Sequence, residues 1–154
     1  IDNIRSPYPF DTQINFVLIN GNAICTKQQY NSIVHLKGFN NLFINQGYAK
    51  CSICVLNDNA ILTGDRGVIV KSLENSPIKA FYLSCQDIKL KGYDNGFWGG
   101  ASGLIGNNKL FFNGNIESLS CYNDLIDILN KEKIEPVYHK HTEVYDNGSI
   151  ILLD

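Results

Sequence analysis

The chain has 154 residues, 44% hydrophobic and 18% charged, with 13 Lys+Arg against 15 Asp+Glu and a formal net charge of -2. One domain of this length buries a real core, and the composition excludes disordered and fibrous classes. The near-balanced charge gives no electrostatic case for nucleic acid or an anionic membrane, and no apolar run approaches the about 18 residues that span a bilayer.

The first residues, Ile1 to Pro7, lack the apolar stretch of a signal peptide, and a chain that starts at Ile1 with no methionine reads as a fragment or a processed product. Residues 16–26 place two apolar runs around Asn20-Gly21-Asn22. Asn, Asp and Gly tolerate the positive φ of tight turns, so a β-hairpin is predicted. Residues 27–37, with Tyr30, Ile33, Val34 and Leu36 apolar, predict a short amphipathic helix stopped by Gly38, and residues 41–45 a strand. His35 falls within that helix and reads as structural. The hairpin pattern returns at 53–63 around Asn57-Asp58-Asn59, followed by a weaker helix over 67–74 and a strand over 78–83. It returns again at 103–112 around Asn107-Asn108, followed by a helix over 120–131 with Ser120 as N-cap and a strand over 134–138. Residues 144–152, around Asn147-Gly148, repeat the hairpin signal a fourth time.

Taking Gly21, Asp58, Asn107 and Asn147 as equivalent, the spacings are 37, 49 and 40 residues. A recurring period of this size indicates stacked or radially arranged units. The expected organisation is one α/β domain, 1–154, of ββαβ repeats at 15–46, 52–83 and 103–138, closed by a final hairpin at 143–153.

Five cysteines, an odd number, cannot all pair within one chain. Cys25, Cys54 and Cys85 lie in apolar runs, where cysteine acts as a small buried hydrophobe. With no signal segment, this pattern fits a reducing cytoplasm. Cys51-Ser52-Ile53-Cys54 has C-x-x-C spacing, but residues three apart in a strand point to opposite faces, and there is no second such pair. Neither a metal nor another cofactor is expected.

The segments that enter the hairpins are polar and unlike one another, and function tends to sit on such segments held by a rigid scaffold. Cys51 follows Lys50, whose charge favours a thiolate; the alternative is an ordinary thiol at a strand start. His139 and His141 would share one strand face, either as a functional pair or as surface histidines. Asp65 reads equally as a helix N-cap or as a carboxylate at the axis of the units. Gly99-Gly100-Ala101-Ser102 lacks the lysine of a phosphate loop and reads as close backbone approach, with Trp98 beside it as a pocket wall or a core anchor.

Several segments carry a resemblance: Tyr8-Pro9 with Asp11 and Asn15, Asn45-Gln46-Gly47-Tyr48-Ala49-Lys50-Cys51-Ser52, Thr63-Gly64-Asp65 with Gly67, Gly96-Phe97 with Gly99-Gly100-Ala101-Ser102-Gly103, and Phe112 with Gly114-Asn115. Over nearly the whole chain they resemble a bacterial, clostridial-type family with the guanidino-group-modifying-enzyme fold, the pentein or arginine deiminase/amidinotransferase superfamily. The resemblance implies a pentein-type α/β propeller lacking one N-terminal unit, with that segment or a second copy of the chain covering the open edge. It also implies a small guanidino or amino-acid-like ligand at the pseudo-symmetry axis. Enzymes of the superfamily use a cysteine near the C-terminus, and residues 143–154 contain none. Cys51, after the turn Gln46-Gly47-Tyr48-Ala49-Lys50, is the nearest local likeness to the nucleophile's setting but sits in a different repeat; on the enzyme reading it is the expected nucleophile, with His139 or His141 the acid/base. Asp11 and Asp65 are the cation-binding carboxylates, and Asn15, Lys50, Ser52, Trp98, Gly99, Gly100 and Ser102 complete the ligand site. Two functions stand: a Cys-dependent hydrolase or transferase acting on guanidino or amide compounds, and a non-catalytic binding or interaction module on the same fold.

Overall fold

The computed structural model describes residues 12, 14–32 and 37–152. Asp11, His35 and the apolar residues 33, 34 and 36 of the first expected helix lie outside that set.

Three small sheets share one strand order. In the first, β1 (Val17–Ile19) pairs antiparallel with β2 (Asn22–Cys25), and β2 pairs in parallel with β3 (Asn40–Phe43). Asn20 (φ 45°) and Gly21 (φ 71°) supply the left-handed turn that the Asn-Gly pair predicts. Helix α1 (Lys27–Ser32) begins the connection to β3. It starts with a reciprocal cap: the Thr26 N–H donates to Gln29 Oε1 at 2.8 Å and the Gln29 N–H donates to Thr26 Oγ1 at 3.1 Å.

The second sheet joins β4 (Ile53–Asn57), β5 (Ala60–Thr63) and β6 (Lys79–Tyr82) in the same pattern. Its turn departs from expectation, since neither Asp58 nor Asn59 takes a positive φ. A register shift between Val55 and Asn57 and a 2.9 Å bond from the Asn59 N–H to Asn57 Oδ1 close the turn instead. The weaker helix predicted at 67–74 is a π-helical turn, Arg66–Val70, running into the short α3 (Lys71–Leu73).

The third sheet contains β7 (Ser102–Leu104), β8 (Lys109–Phe112) and β9 (Glu135–Val137). A 3-10 turn at Ile116–Ser118 and helix α4 (Tyr122–Lys131) connect β8 to β9. The N-cap of α4 is Cys121, not Ser120. Ser120 instead gives its N–H and its hydroxyl to Asp87 Oδ2, at 2.7 and 2.6 Å.

The central strands β2 and β5 are buried at every position and are apolar except for Asn22 at the start of β2 and Thr63 at the end of β5. The larger core gathers around Trp98 and Phe112, packed edge to face at 6.4 Å. A second core joins Val17, Ile24, Ile53, Ile61 and Ile69 between the first two sheets. Trp98 Nε1 donates to the Leu83 carbonyl at 2.7 Å, so its one polar group is satisfied within the apolar core.

The fourth hairpin expected at 143–153 is not formed as a strand pair among the described residues. Tyr145 forms a single parallel bridge with Lys89, and the N–H groups of Asn147 and Ser149 both donate to the Gly100 carbonyl. The same Asn-Gly signal therefore places a segment that threads between two loops. Those loops take up the backbone groups a partner strand would otherwise satisfy.

Candidate functional site

Cys51 sits on a single helical turn, α2 (Ala49–Ser52), and not at a strand start. Four residues give no helical periodicity, and the N-cap Tyr48 makes no side-chain capping bond. The cap comes from Asn15, whose Oδ1 accepts the N–H groups of Lys50 at 2.7 Å and Cys51 at 3.3 Å. The Asn15 amide nitrogen also donates to Cys51 Sγ at 3.1 Å. Gln29 holds Asn15 in place: its Nε2 donates to the carbonyls of Thr12, Asn15 and Gly47. On the other side, the Gly100 N–H donates to the Cys51 carbonyl at 2.9 Å. A Cβ on Gly99 would lie 2.2 Å from the carbonyl oxygens of both Lys50 and Ile53. The expected close approach at Gly99-Gly100 is thus an approach to the turn that carries Cys51.

Cys51 opens onto a cleft of about 560 Å3 that is also lined by Tyr48, Leu90, Tyr93, Asn95, Phe97, Asp146, Asn147 and Gly148. Asp146 is only 6% exposed. Its Oδ2 accepts the Phe97 N–H at 2.9 Å and its Oδ1 accepts the Gly148 N–H at 3.0 Å. A Cβ on Gly100 would overlap the Asp146 carboxylate, so glycine at this position makes room for it. A largely buried carboxylate that shares a cleft with aromatic side chains suits a compact cation.

A second cleft, of about 280 Å3, shares Asn95 and Phe97 with the first. Ser52, Asp65 and Trp98 line it, with Thr63, Arg66 and Cys85. The two readings of Asp65 resolve toward the cap, since Oδ1 accepts the Val68 N–H at 2.8 Å at the start of the π-helical turn. Its Oδ2 meets Gln46 Nε2 at 3.4 Å. The Ser52 hydroxyl is buried without a hydrogen-bond partner.

The remaining expected residues are dispersed. His139 and His141 follow β9 on an exposed loop and not on a strand, so they do not share a strand face. His139 Nδ1 lies 3.4 Å from Thr142 Oγ1, and neither histidine lines either cleft. Lys50 lines a separate groove with Val17, Val55 and Leu104. The Ser102 hydroxyl donates to the Trp98 carbonyl at 2.6 Å inside the core. Among the described residues no group of three or more His, Cys, Asp or Glu is placed to hold a metal ion. Sequence reasoning missed Asp146, Tyr93 and Gln29. Asp146 reads locally as one more turn residue, because its partner Phe97 lies 49 positions away.

The three sheets and their connecting helices make this a mixed α/β protein, and a solved structure shares its fold. Its structure is similar to that of an amidinotransferase from Microseira wollei in the saxitoxin biosynthetic pathway, with a TM-score of 0.51 at 9% sequence identity. The match covers 82% of this chain and 41% of that one, so the chain spans about two fifths of the amidinotransferase. The chain itself belongs to the family of unknown function DUF6873, which it matches over residues 2–151. No curated protein matches it in sequence. Among the described residues no helix is long and apolar enough to cross a membrane.

Proposed function

We propose that this chain is a pentein-type α/β propeller protein that binds a small guanidino or amino-acid-like cation in the Cys51–Asp146 cleft and does not turn it over. The observation that carries the reading is the Asp146 carboxylate, largely buried and lining the same cleft as Tyr48, Tyr93 and Phe97. The recurrence of one strand order in three sheets supports a radial arrangement. So does the 2.9 Å bond from Asn20 Nδ2 to Asn59 Oδ1, which links the turns of the first two hairpins. The absence of turnover follows from the dispersal of the acid/base groups. Attack by a thiol on a guanidinium carbon needs a proton donor for the leaving amine, and the described histidines lie on an exposed loop outside the cleft.

The Cys-dependent hydrolase or transferase is the second reading. It is favoured by the sulfur of Cys51, which lines the cleft and accepts a hydrogen bond from Asn15. Calorimetry with agmatine and arginine, alongside a citrulline and urea assay, separates the two. Binding without product is expected, weakened about tenfold or more in Asp146→Asn and in Tyr93→Ala. Tyr93 is 75% exposed, so its variant leaves the fold intact. An absence of binding overturns the proposal. Turnover that disappears in Cys51→Ala overturns the non-catalytic reading and establishes the second.

A further inference from the structure

A groove of about 460 Å3 lies apart from both clefts and shares no lining residue with either. The first strand of each sheet supplies a wall, through Leu18 of β1, Val55 of β4 and Leu104 of β7, and residues 150–152 supply another. Gly103 seats that last segment: a Cβ there would overlap the Ile150 carbonyl oxygen, so only a residue without a side chain lets Ile150 approach β7 this closely. The apolar walls stay open to solvent, with Leu18, Ile151 and Leu152 at 46%, 71% and 54% exposure. Exposed apolar side chains gathered on one concave surface mark a binding site more often than an idle face. Among the described residues that line the groove, Lys50 is the one that carries a charge. Its N–H is held by Asn15 Oδ1 at the start of α2, and its ammonium enters none of the ion pairs among the described residues. A lysine stem lies along apolar surface while its head keeps to water, so the groove offers hydrocarbon contact and one unmatched positive charge.

We propose that this groove binds an amphipathic monocarboxylate of medium chain length, with the carboxylate on Lys50 and the hydrocarbon against Leu18, Val55, Leu104 and Ile151. The volume lies within the about 300–1,000 Å3 of small-molecule sites. Charge complementarity selects the head group: a single ammonium with no acidic neighbour in the groove matches a single carboxylate, and hydrogen bonds between such charged partners are the strong ones. The walls select the tail. A small inorganic anion would engage Lys50 and leave the exposed leucine and isoleucine side chains in water, and a neutral hydrocarbon would leave the ammonium without an anion. A cation of the same length would meet Lys50 as a like charge. This site stands independently of the reading of the Cys51 cleft.

The test is calorimetry on the full, folded chain with acetate, hexanoate, octanoate and decanoate at submicellar concentration, and with decylammonium as the cation of matched length. Affinity should rise by up to about fourfold per added methylene, acetate should not bind, and decylammonium should bind at least about tenfold more weakly than decanoate. Lys50→Gln should weaken decanoate about tenfold and Lys50→Arg should keep most of the affinity. Leu18→Gln, at an exposed position outside the core, should weaken it as well. In amide spectra decanoate should move Leu18, Lys50, Leu104 and Ile151 and leave Phe97 and Gly148 of the Cys51 cleft in place. No binding at millimolar decanoate overturns the proposal, as does equal affinity for decanoate and decylammonium, or a set of shifts confined to the Cys51 cleft. A chain that is dimeric without added carboxylate and becomes monomeric in Leu18→Gln assigns the groove to a second copy and overturns it too.

Discussion

Replacing Gly99 by alanine adds one methyl group where the backbone of α2 already stands. The added Cβ would lie 2.2 Å from Lys50 O and from Ile53 O, and a carbon normally keeps about 3.3 Å from a carbonyl oxygen. About 1 Å of movement is needed, and neither obstacle is a side chain that can rotate away. Overpacking typically costs about 1–3 kcal/mol, and two fixed carbonyls place this site near the top of that range, at about 3 kcal/mol. For a chain of this length that lowers the melting temperature by about 6–12 °C. Displacing α2 also strains the bond from the Gly100 N–H to the Cys51 carbonyl and the Asn15 cap, so the labelling rate of Cys51 should change as well. Urea denaturation and thiol labelling read the two effects. Gly67→Ala is the control, because Gly67 has no atom within 4 Å of an added Cβ. A Gly99→Ala chain within about 1 kcal/mol of that control, with Cys51 labelling unchanged, would refute the packing argument.

Three further outcomes are expected. Cys51 is half-buried and the other four cysteines are buried, so in a mass-spectrometric time course Cys51 should alkylate first, with Cys25 and Cys54 the slowest. Burial raises Cys25 and raises Cys54 to about 11, which keeps both as inert thiols. Trp98→Ala should cost about 3–5 kcal/mol by emptying the larger core, whereas Trp98→Phe should lose about 1–3 kcal/mol by leaving the Leu83 carbonyl unpaired, both measured by chemical denaturation. Hydrogen bonds from Ser120 hold Asp87 below the usual carboxylate value. Its contribution to stability is therefore complete above about pH 4 and is lost as pH falls through the depressed value; Asp87→Asn should flatten that part of a stability–pH curve.

What the sequence made legible was local. The turn of Asn20-Gly21 and the glycines at 99 and 100 could be read because the constraint sits in the residues themselves. The alternation into three sheets followed from apolar runs separated by turn residues. The helical turn under Cys51 was not legible, because its cap, Asn15, is 36 residues away and its four residues carry no period. Asp146 was hidden for the same reason, and Val144 to Gly148 shows the converse. Its signal matched the hairpins, yet its bonding partners are Lys89, Phe97, Gly100 and Asn113. A hairpin signal fixes a turn but not which strand, if any, will take up the groups on either side.

The most direct test of the binding claim is an amide correlation spectrum of the folded chain titrated with agmatine. The Phe97 and Gly148 N–H groups both donate to Asp146, so they report directly on the carboxylate assigned to the cation. The account predicts saturable shifts at Phe97, Gly148, Asn95 and Cys51, with the core residues Ile61 and Leu125 unmoved. Saturable shifts confined to other parts of the chain, or none at millimolar agmatine, would contradict it.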